Sequence, residues 1–487
     1  MSWRREGVLR IALATTCLAV TFSFQAAGLW AGDPVILLPV VPAAANAILV
    51  IDVDSLYGSK LAENYHWADK TNLEHSVRPI LVPSEASAVA IAAQLDPDAG
   101  LKLQWQVSIA QMKKALPLES IARWEGGYVD KISGTDVAWT PSDCYIMELP
   151  EQRLALLNPA SRQIVSRWLE LRQNSSNKKL SDYLASAATL VNDRTQIVMA
   201  LELKDAIAPH RLKAALEQSQ VLFNNQSAAI AVEKLVAGVL GVTLKVNVNY
   251  DAVGEFRVDF ETTPRNDPVL KPLILEVLNR HGLQLEELDD WPLTVDGNAL
   301  VLKGKFSPEG LRKVGSLLQL PSTKFADLEG AEPTEPGTPD YTKRSQQYFT
   351  AVSSLIDDLN KQLKTGRDNH SVWMERYGKK IDSLPILNVD EELLDWGSMV
   401  AETFRDVALE KRSSGIRQGA RSASVYGDYY YSDGGYYRNR PVANEKIEIR
   451  RQEQATANQM RINSWKDIED SRADIRRQMT KKYGVEF

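Results

Sequence analysis

Two cysteines in 487 residues, Cys17 and Cys144, are too few for a disulfide framework or a Cys-rich metal site. The five histidines, His66, His75, His210, His281 and His370, are scattered, and none falls into His-Glu-x-x-His or another metal spacing. A Gly-x-Ser-x-Gly elbow, a phosphate loop and Gly-x-Gly-x-x-Gly are all missing, so no complete catalytic or nucleotide-binding motif is present. No cofactor and no metal is expected. A formal net charge of −6 gives no general pull toward nucleic acid or anionic membrane. Beyond the amino terminus, no run is long and apolar enough to cross a bilayer.

What is there begins at that terminus. Arg4, Arg5 and Arg10 precede the uncharged run Ile11 to Phe24, and small residues follow in Gln25-Ala26-Ala27-Gly28. Charge, then a short apolar core, then small residues is the order of a secretory signal. The run is shorter than the ~20 residues that span a bilayer. Cleavage is expected near Gly28 or Ala31, and the alternative is a retained anchor extended through Trp30. Cys17 lies in mid-run behind Leu13-Ala14-Thr15-Thr16, which does not suit a lipoprotein anchor. The expected location is extracytoplasmic, periplasm or secreted, with membrane anchoring as the alternative. Removal of the signal would leave Cys144 as the single thiol, read as a small buried hydrophobe.

The body reads as α+β with mainly antiparallel sheets. Ala47–Val53 is an apolar strand, followed by helix over 56–67 and alternating stretches near 88–95 and 101–112. Helix is expected over 118–125, strands over 128–139 and 143–149, then a helix opened by Asn158 as N-cap and Pro159. The order returns with a strand over 196–203, helices over 209–218 and 228–240, and a hairpin of 242–250 with 256–260. A helix over 270–280 ends at Gly282, Asp296-Gly297 turns a second hairpin, and Ser307-Pro308 starts the last helix. Ile48 with Ile197, Gly126 with Gly282 and Pro159 with Pro308 stand about 150 residues apart, one domain length. The expectation is two tandem α+β units, 46–190 and 191–320, related as a possible structural repeat.

Residues 321–340 are rich in Pro, Glu and Thr and poor in large apolar residues, the composition of a linker. From 341 to 487 a helical period dominates. Tyr348, Val352, Leu355, Leu359 and Leu363 form one stripe, and 372–381 a second helix. Asn388 with Glu391 is expected to form a capping box for a third. Residues 444–483 read as one long charged helix whose narrow stripe, Trp465, Ile468, Ile475 and Met479, suits folding back on its neighbours. Within a Tyr/Gly-rich loop at 422–440 lie Tyr426, Tyr429, Tyr430, Tyr431, Tyr436, Tyr437, Arg438 and Arg440. Aromatic rings with flanking cations make this an interaction segment candidate, for an envelope protein or wall polymer, although loop without regular packing is the expected structure.

One stretch resembles an enzyme motif. Ile48-Leu49-Val50-Ile51-Asp52-Val53-Asp54-Ser55 is similar to the first motif of haloacid-dehalogenase-like phosphohydrolases, which implies Asp52 as nucleophile and Asp54 as acid/base. About ten residues carry the likeness. That family's distant Lys, its Ser or Thr and its Mg²⁺-holding acidic pair after an apolar strand have no matching context here. The corresponding strand Ile197–Asp205 has no Asp-x-Asp. Carboxylates capping the following helix account for the pair more simply.

A wider likeness rests on Tyr348-Phe349-x-Ala351-Val352-x-x-Leu355, on Trp373-x-x-x-Tyr377-x-x-Lys380-Ile381-Asp382-x-Leu384-Pro385 and on Val389-Asp390-x-Glu392-Leu393-Leu394-Asp395. Together with Arg162-x-x-Val165-x-Arg167-Trp168, these look like exported proteins of planctomycete bacteria, a group of unknown function. The resemblance implies export and transfers no functional residue. The sequence therefore points to an exported, non-catalytic structural or binding protein of the cell envelope, with an exported hydrolase built on Asp52 and Asp54 as the alternative.

Overall fold

A computed structural model describes residues 34–67, 82–97, 101–124, 127–140, 143–173, 179–206, 208–222, 226–283, 285–315, 317, 336–363, 370–382, 384, 388–423, 429–432, 435–438 and 441–487. The expected signal, most of the Pro-rich linker, Tyr426 and Arg440 lie outside the described residues.

The first stretch runs β1 (Ala47–Asp52), α1 (Val53–Tyr57), α2 (Lys60–Asn64), β2 (Ala86–Asp96), β3 (Lys102–Met112), α3 (Leu118–Trp124), β4 (Tyr128–Ile132), β5 (Thr135–Thr140), β6 (Cys144–Leu149), β7 (Arg153–Asn158), α4 (Arg162–Gln173) and α5 (Asp182–Ala188). The second runs β8 (Ile197–Glu202), α6 (Pro209–Glu217), α7 (Gln226–Ala237), β9 (Val239–Val248), β10 (Ala252–Phe260), α8 (Leu270–Arg280), β11 (Leu293–Asp296), β12 (Ala299–Phe306) and α9 (Pro308–Gly315). The helical region is α10 (Pro339–Leu363), α11 (His370–Asp382), α12 (Glu391–Ala423), the hairpin β13 (Tyr429–Ser432) and β14 (Gly435–Arg438), and α13 (Pro441–Tyr483).

The fold is α+β with an antiparallel sheet, followed by helices. Twelve strands make one sheet in the order β11-β12-β10-β9-β8-β1-β2-β3-β7-β6-β5-β4. Element order repeats between the two stretches, apart from the extra hairpin β4–β5 and the closing helix α5 of the first, and strand order is mirrored about the β1–β8 seam. At that seam Val50 pairs with Ala90 on one side and with Val198 on the other. The sheet thus runs unbroken past position 190.

Alternation on β1 sends successive side chains to opposite faces. Ile48 and Val50 join a core closed by the 3-10 turn Pro34–Val40, by Val165 and Trp168 of α4, and by Leu184 and Ala188 of α5. The Trp168 indole N–H donates to the Val40 carbonyl at 3.1 Å. Leu49 and Ile51 join the larger core on the other face, which also takes in α3, α8, α9 and the buried stripes of α10 to α13. Body and helical region therefore share one apolar core. Trp465, Ile468, Ile475 and Met479, the stripe expected to fold back, are all buried in it.

Several local expectations are corrected. The single helix over 56–67 is two short ones, because the Ser59 hydroxyl accepts from Ala62 N at 3.2 Å and restarts the chain as α2. Residues 128–139 fold back at Ser133-Gly134 into the hairpin β4–β5. Asn158 does not cap α4. It ends β7, donating its amide to the Asp143 carbonyl at 3.0 Å, and the Ser161 hydroxyl caps the helix by accepting from Ile164 N. Gly241, next after the expected helix 228–240, lies within β9, paired with Glu202 and Asp259, and a Cβ there would strike the Tyr183 ring. Asp390, not Asn388, starts α12, accepting from Glu392 N at 3.0 Å. The Tyr/Gly-rich segment holds regular structure, an antiparallel hairpin with Tyr430 opposite Tyr437 and Tyr431 opposite Tyr436. Successive tyrosines favour extended backbone.

Candidate functional site

β1 ends at Asp52 because its carboxylate takes over the free N–H groups of the helix that follows. Oδ1 accepts from Ser55 N at 2.9 Å and Oδ2 from the Ser55 hydroxyl at 2.6 Å. Both oxygens are thereby occupied by the cap of α1, the role that the strand-end position favours. Asp54 turns away to Lys113, Oδ1 to Nζ 2.7 Å, with both side chains about half exposed. The two carboxylates serve different neighbours. Asp289 and Asp290 lie at the end of a 3-10 turn, where Asp289 offers its carbonyl to Lys271 Nζ. Among the described residues no group of three His, Cys, Asp or Glu side chains converges in a metal-binding arrangement.

Beside Ser55 the chain forms a polar recess of about 280 Å³. Its walls come from both stretches of the body. Ser55, Gly58 and Ser59 belong to the α1–α2 connection, Asp193, Arg194 and Gln196 to the turn leading into β8, and Asn247 and Asn249 to the end of β9. Local chemistry makes each wall rigid. The Asn192 carboxamide oxygen accepts from Arg194 N at 2.8 Å and from Thr195 N at 3.1 Å, an Asx-type turn. Gln196 is buried, donates to the Asp193 carbonyl at 2.6 Å and accepts from Val248 N at 2.7 Å. The Asn247 amide donates to the Arg194 carbonyl. Leu61 N donates to the Asn249 carbonyl at 2.6 Å, tying α2 to the β9–β10 turn.

Three groups are left over from this network. Among the described residues, the side chains of Asp193, Arg194 and Asn249 have no hydrogen-bond or ion-pair partner. Next to Asn249 stands Tyr250, 69% exposed and near enough to Lys60 to interact with it electrostatically. The expected strand over 242–250 stops at Val248, and Tyr250 sits on the turn that follows. None of these residues carried a motif in the sequence. The only signals were turn residues, Asn192-Asp193 and Asn249-Tyr250-Asp251, around an aromatic without an apolar neighbour.

The interaction segment lies elsewhere. Tyr429, Tyr430, Tyr431, Tyr436, Tyr437 and Arg438 occupy the β13–β14 hairpin, between α12 and α13. These helices run antiparallel, with Trp396 opposite Ser471, Phe404 opposite Trp465 and Ser414 opposite Glu453. α10 and α11 meet α12 early, through Tyr348 against Gly397, Gly378 against Ala401 and Asp382 with Arg405. Beyond Ala408, the last α12 residue in the shared core, the α12–α13 pair continues toward the hairpin, about 22 Å of helix at 1.5 Å per residue. Its seam is polar. Glu453 accepts from Arg417 Nε at 3.0 Å and from Arg421 Nη1 at 2.8 Å, and both contacts hold its carboxyl below the usual glutamate range. Leu409, Met460 and Ile462 are exposed along it.

No helix among the described residues is long and apolar enough to cross a membrane. No family model matches the chain, and no curated protein matches it. The solved structure of TP0453, in its crystal form I, is similar at 13% identity over 61% of this chain and 98% of its own, with a TM-score of 0.33. Likeness at that level carries no argument about fold or function.

Proposed function

We propose that this chain is an exported, non-catalytic binding protein of the cell envelope, with the α+β body as scaffold and the helical region carrying the interaction. The observation that carries the reading is the α12–α13 arm. Two long helices run on past the bundle and flank a hairpin whose sequence is rich in tyrosine, with Arg438 on its second strand. Aromatic and arginine side chains are the residue types that anchor interfaces. Export is supported by the order of the amino-terminal residues, cationic, apolar, then small. The partner class is an envelope protein or a wall polymer.

The test replaces residues 429–438 by a short Gly-Ser linker and leaves the helices intact, since α10 to α13 share the body's core and their removal would expose it. Envelope fractions are then probed with the full chain and the replaced chain. Partners retained by the first and lost by the second support the reading. Recovery of native protein from cytosol with Met1 or Ser2 still at its amino terminus would end it. The phosphohydrolase alternative has no comparable support, because the Asp52 oxygens are engaged by Ser55 and Asp54 by Lys113.

A further inference from the structure

The sheet ends at β4 on one side and at β11 on the other, and we infer that β11 is the seam of a two-fold dimer in which it pairs with β11 of a second copy. This goes beyond the envelope reading and does not depend on it.

An edge strand turns the N–H and C=O of every second residue outward, and these groups attract another strand unless something closes them. At β4 the closure is built in. Ser133 and Gly134 turn the hairpin, so Tyr128, Asp130 and Ile132 bond to β5 while Val129 and Lys131 face out. The Lys131 N–H donates to the Asp130 carboxylate at 2.7 Å, and the Lys131 carbonyl accepts from Arg162 Nη2 at 3.1 Å. Arg162 also pairs with that carboxylate, which holds the guard in place. Val129 alone keeps its outward groups, and one residue cannot fix the register of an added strand.

β11 has no such guard. Gly297 and Asn298 turn its hairpin, so Asp296 and Thr294 bond to β12. The Thr294 hydroxyl donates to the Val301 carbonyl at 3.3 Å, on that same side. Leu293 and Val295 therefore direct N–H and C=O outward, and among the described residues nothing receives them. Their side chains lie against the larger core but stay partly exposed.

The occupant follows from the strand's own sequence. Laid antiparallel on a second β11, about an axis through Thr294, Leu293 meets the partner's Val295 and Val295 meets the partner's Leu293. Each of these pairs exchanges both backbone hydrogen bonds. Thr294 meets its own copy across the axis, and Thr–Thr is a favourable cross-strand pair. Apolar side chains thus cover apolar side chains on one face. On the other, Asp296 is already held by Arg257 and brings no unpaired charge to the seam. Moving the register by two residues sets one outward residue opposite a position outside the strand, and moving it by one turns the apolar face over. Such an interface is isologous, and with the β4 edge closed the assembly stops at two.

Sedimentation velocity of the full chain over a concentration series tests this. Thr294 is exposed, so Thr294→Lys and Thr294→Glu alter the seam without touching the core, and circular dichroism melts check that both fold. The expected result is a monomer–dimer equilibrium for the wild type, a dissociation constant raised at least tenfold in each variant, and recovery of the dimer in an equimolar mixture of the two. Amide exchange at Leu293 and Val295 should slow as wild-type concentration rises. A wild type that stays monomeric, or one that grows beyond the dimer, overturns the inference. So do variants that dimerise as tightly as the wild type, or a mixture no tighter than its components.

Discussion

Arg312 and Asp358 face each other across the seam between body and helical region, Nε to Oδ2 at 2.6 Å and Nη2 to Oδ1 at 2.7 Å, both side chains buried. This two-pronged pair joins α9 to α10, and the Tyr377 hydroxyl of α11 lies 3.5 Å from Asp358 Oδ2. Lys361 with Glu309, at 2.7 Å, and Arg376 donating to the Gly282 carbonyl, at 2.6 Å, reinforce the same seam. A buried ion pair contributes little against an apolar pair of the same shape, but removing one partner leaves an uncompensated charge in the core. Arg312→Ala or Asp358→Ala is therefore expected to lower stability by about 3–5 kcal/mol, and the double change Arg312→Met with Asp358→Leu by much less. Urea unfolding of all three variants reads this out. A double variant as unstable as the singles would mean that the pair matters for packing rather than charge.

Gly254 and Gly304 stand opposite each other on β10 and β12, and the Trp291 ring lies across both. Trp291 donates its indole N–H to the Lys305 carbonyl at 3.2 Å and packs edge-on against Phe306, centroids 4.9 Å apart. A methyl group at either glycine would run into that ring. Gly304→Ala should lower stability by about 1–3 kcal/mol, the range for overpacking. In a Trp291→Ala background the same substitution should have little further effect. Thermal melts arranged as a double-mutant cycle test the coupling, and additive losses would sink the claim.

Lys380 gives the seam a pH dependence. Burial, with Arg312 nearby, pushes its ammonium down to about 8, against about 10.4 in an unfolded chain. Between these values the unfolded state binds more protons, so this group's contribution to stability rises with pH. Tyr348 acts in the opposite sense. Burial pushes its hydroxyl up to about 12, so its contribution falls as pH climbs past about 10. The informative window is pH 8 to 10, where Lys380→Met should flatten the rise seen for the unmodified chain. Parallel stability curves for the two proteins would contradict the assignment.

Asp52 is expected to behave as a cap. Asp52→Ala should lower stability by roughly 0.5–2 kcal/mol, and Asp52→Asn by less, because an Asn oxygen can still accept from Ser55 N. Hydrolysis of p-nitrophenyl phosphate with added Mg²⁺ should be at background for all three proteins. Turnover in the wild type that disappears in folded Asp52→Asn and Asp54→Asn would restore the phosphohydrolase reading.

Glu453 ties two arginines of α12 to α13. Glu453→Gln should raise amide exchange over residues 410–423 while leaving the strands of the sheet unchanged. Uniform protection across the arm would show that the seam does not depend on this carboxylate.

What the sequence alone determined lies within a few residues of itself. The end of α8 at Gly282, the Asp296-Gly297 hairpin, the Ser307 cap of α9 and the Pro209 start of α6 all follow from turn and capping chemistry, in which a residue's backbone freedom or its side chain acts within one to four positions. The stripe of α13 was legible for the same reason, since helical periodicity is local. Pairing of β1 with β8 was decided only in three dimensions, because each strand could bury its apolar run against many partners and only the assembled sheet selects one. The position of Gly241 in a strand depended on its pairing with Glu202 and Asp259, and the buried charge of Arg312 on an aspartate 46 residues away. The recess follows the same logic. Arg194 and Asn249 read as ordinary turn residues until folding places them on one wall, and their chemistry comes from that proximity, which no local pattern encodes.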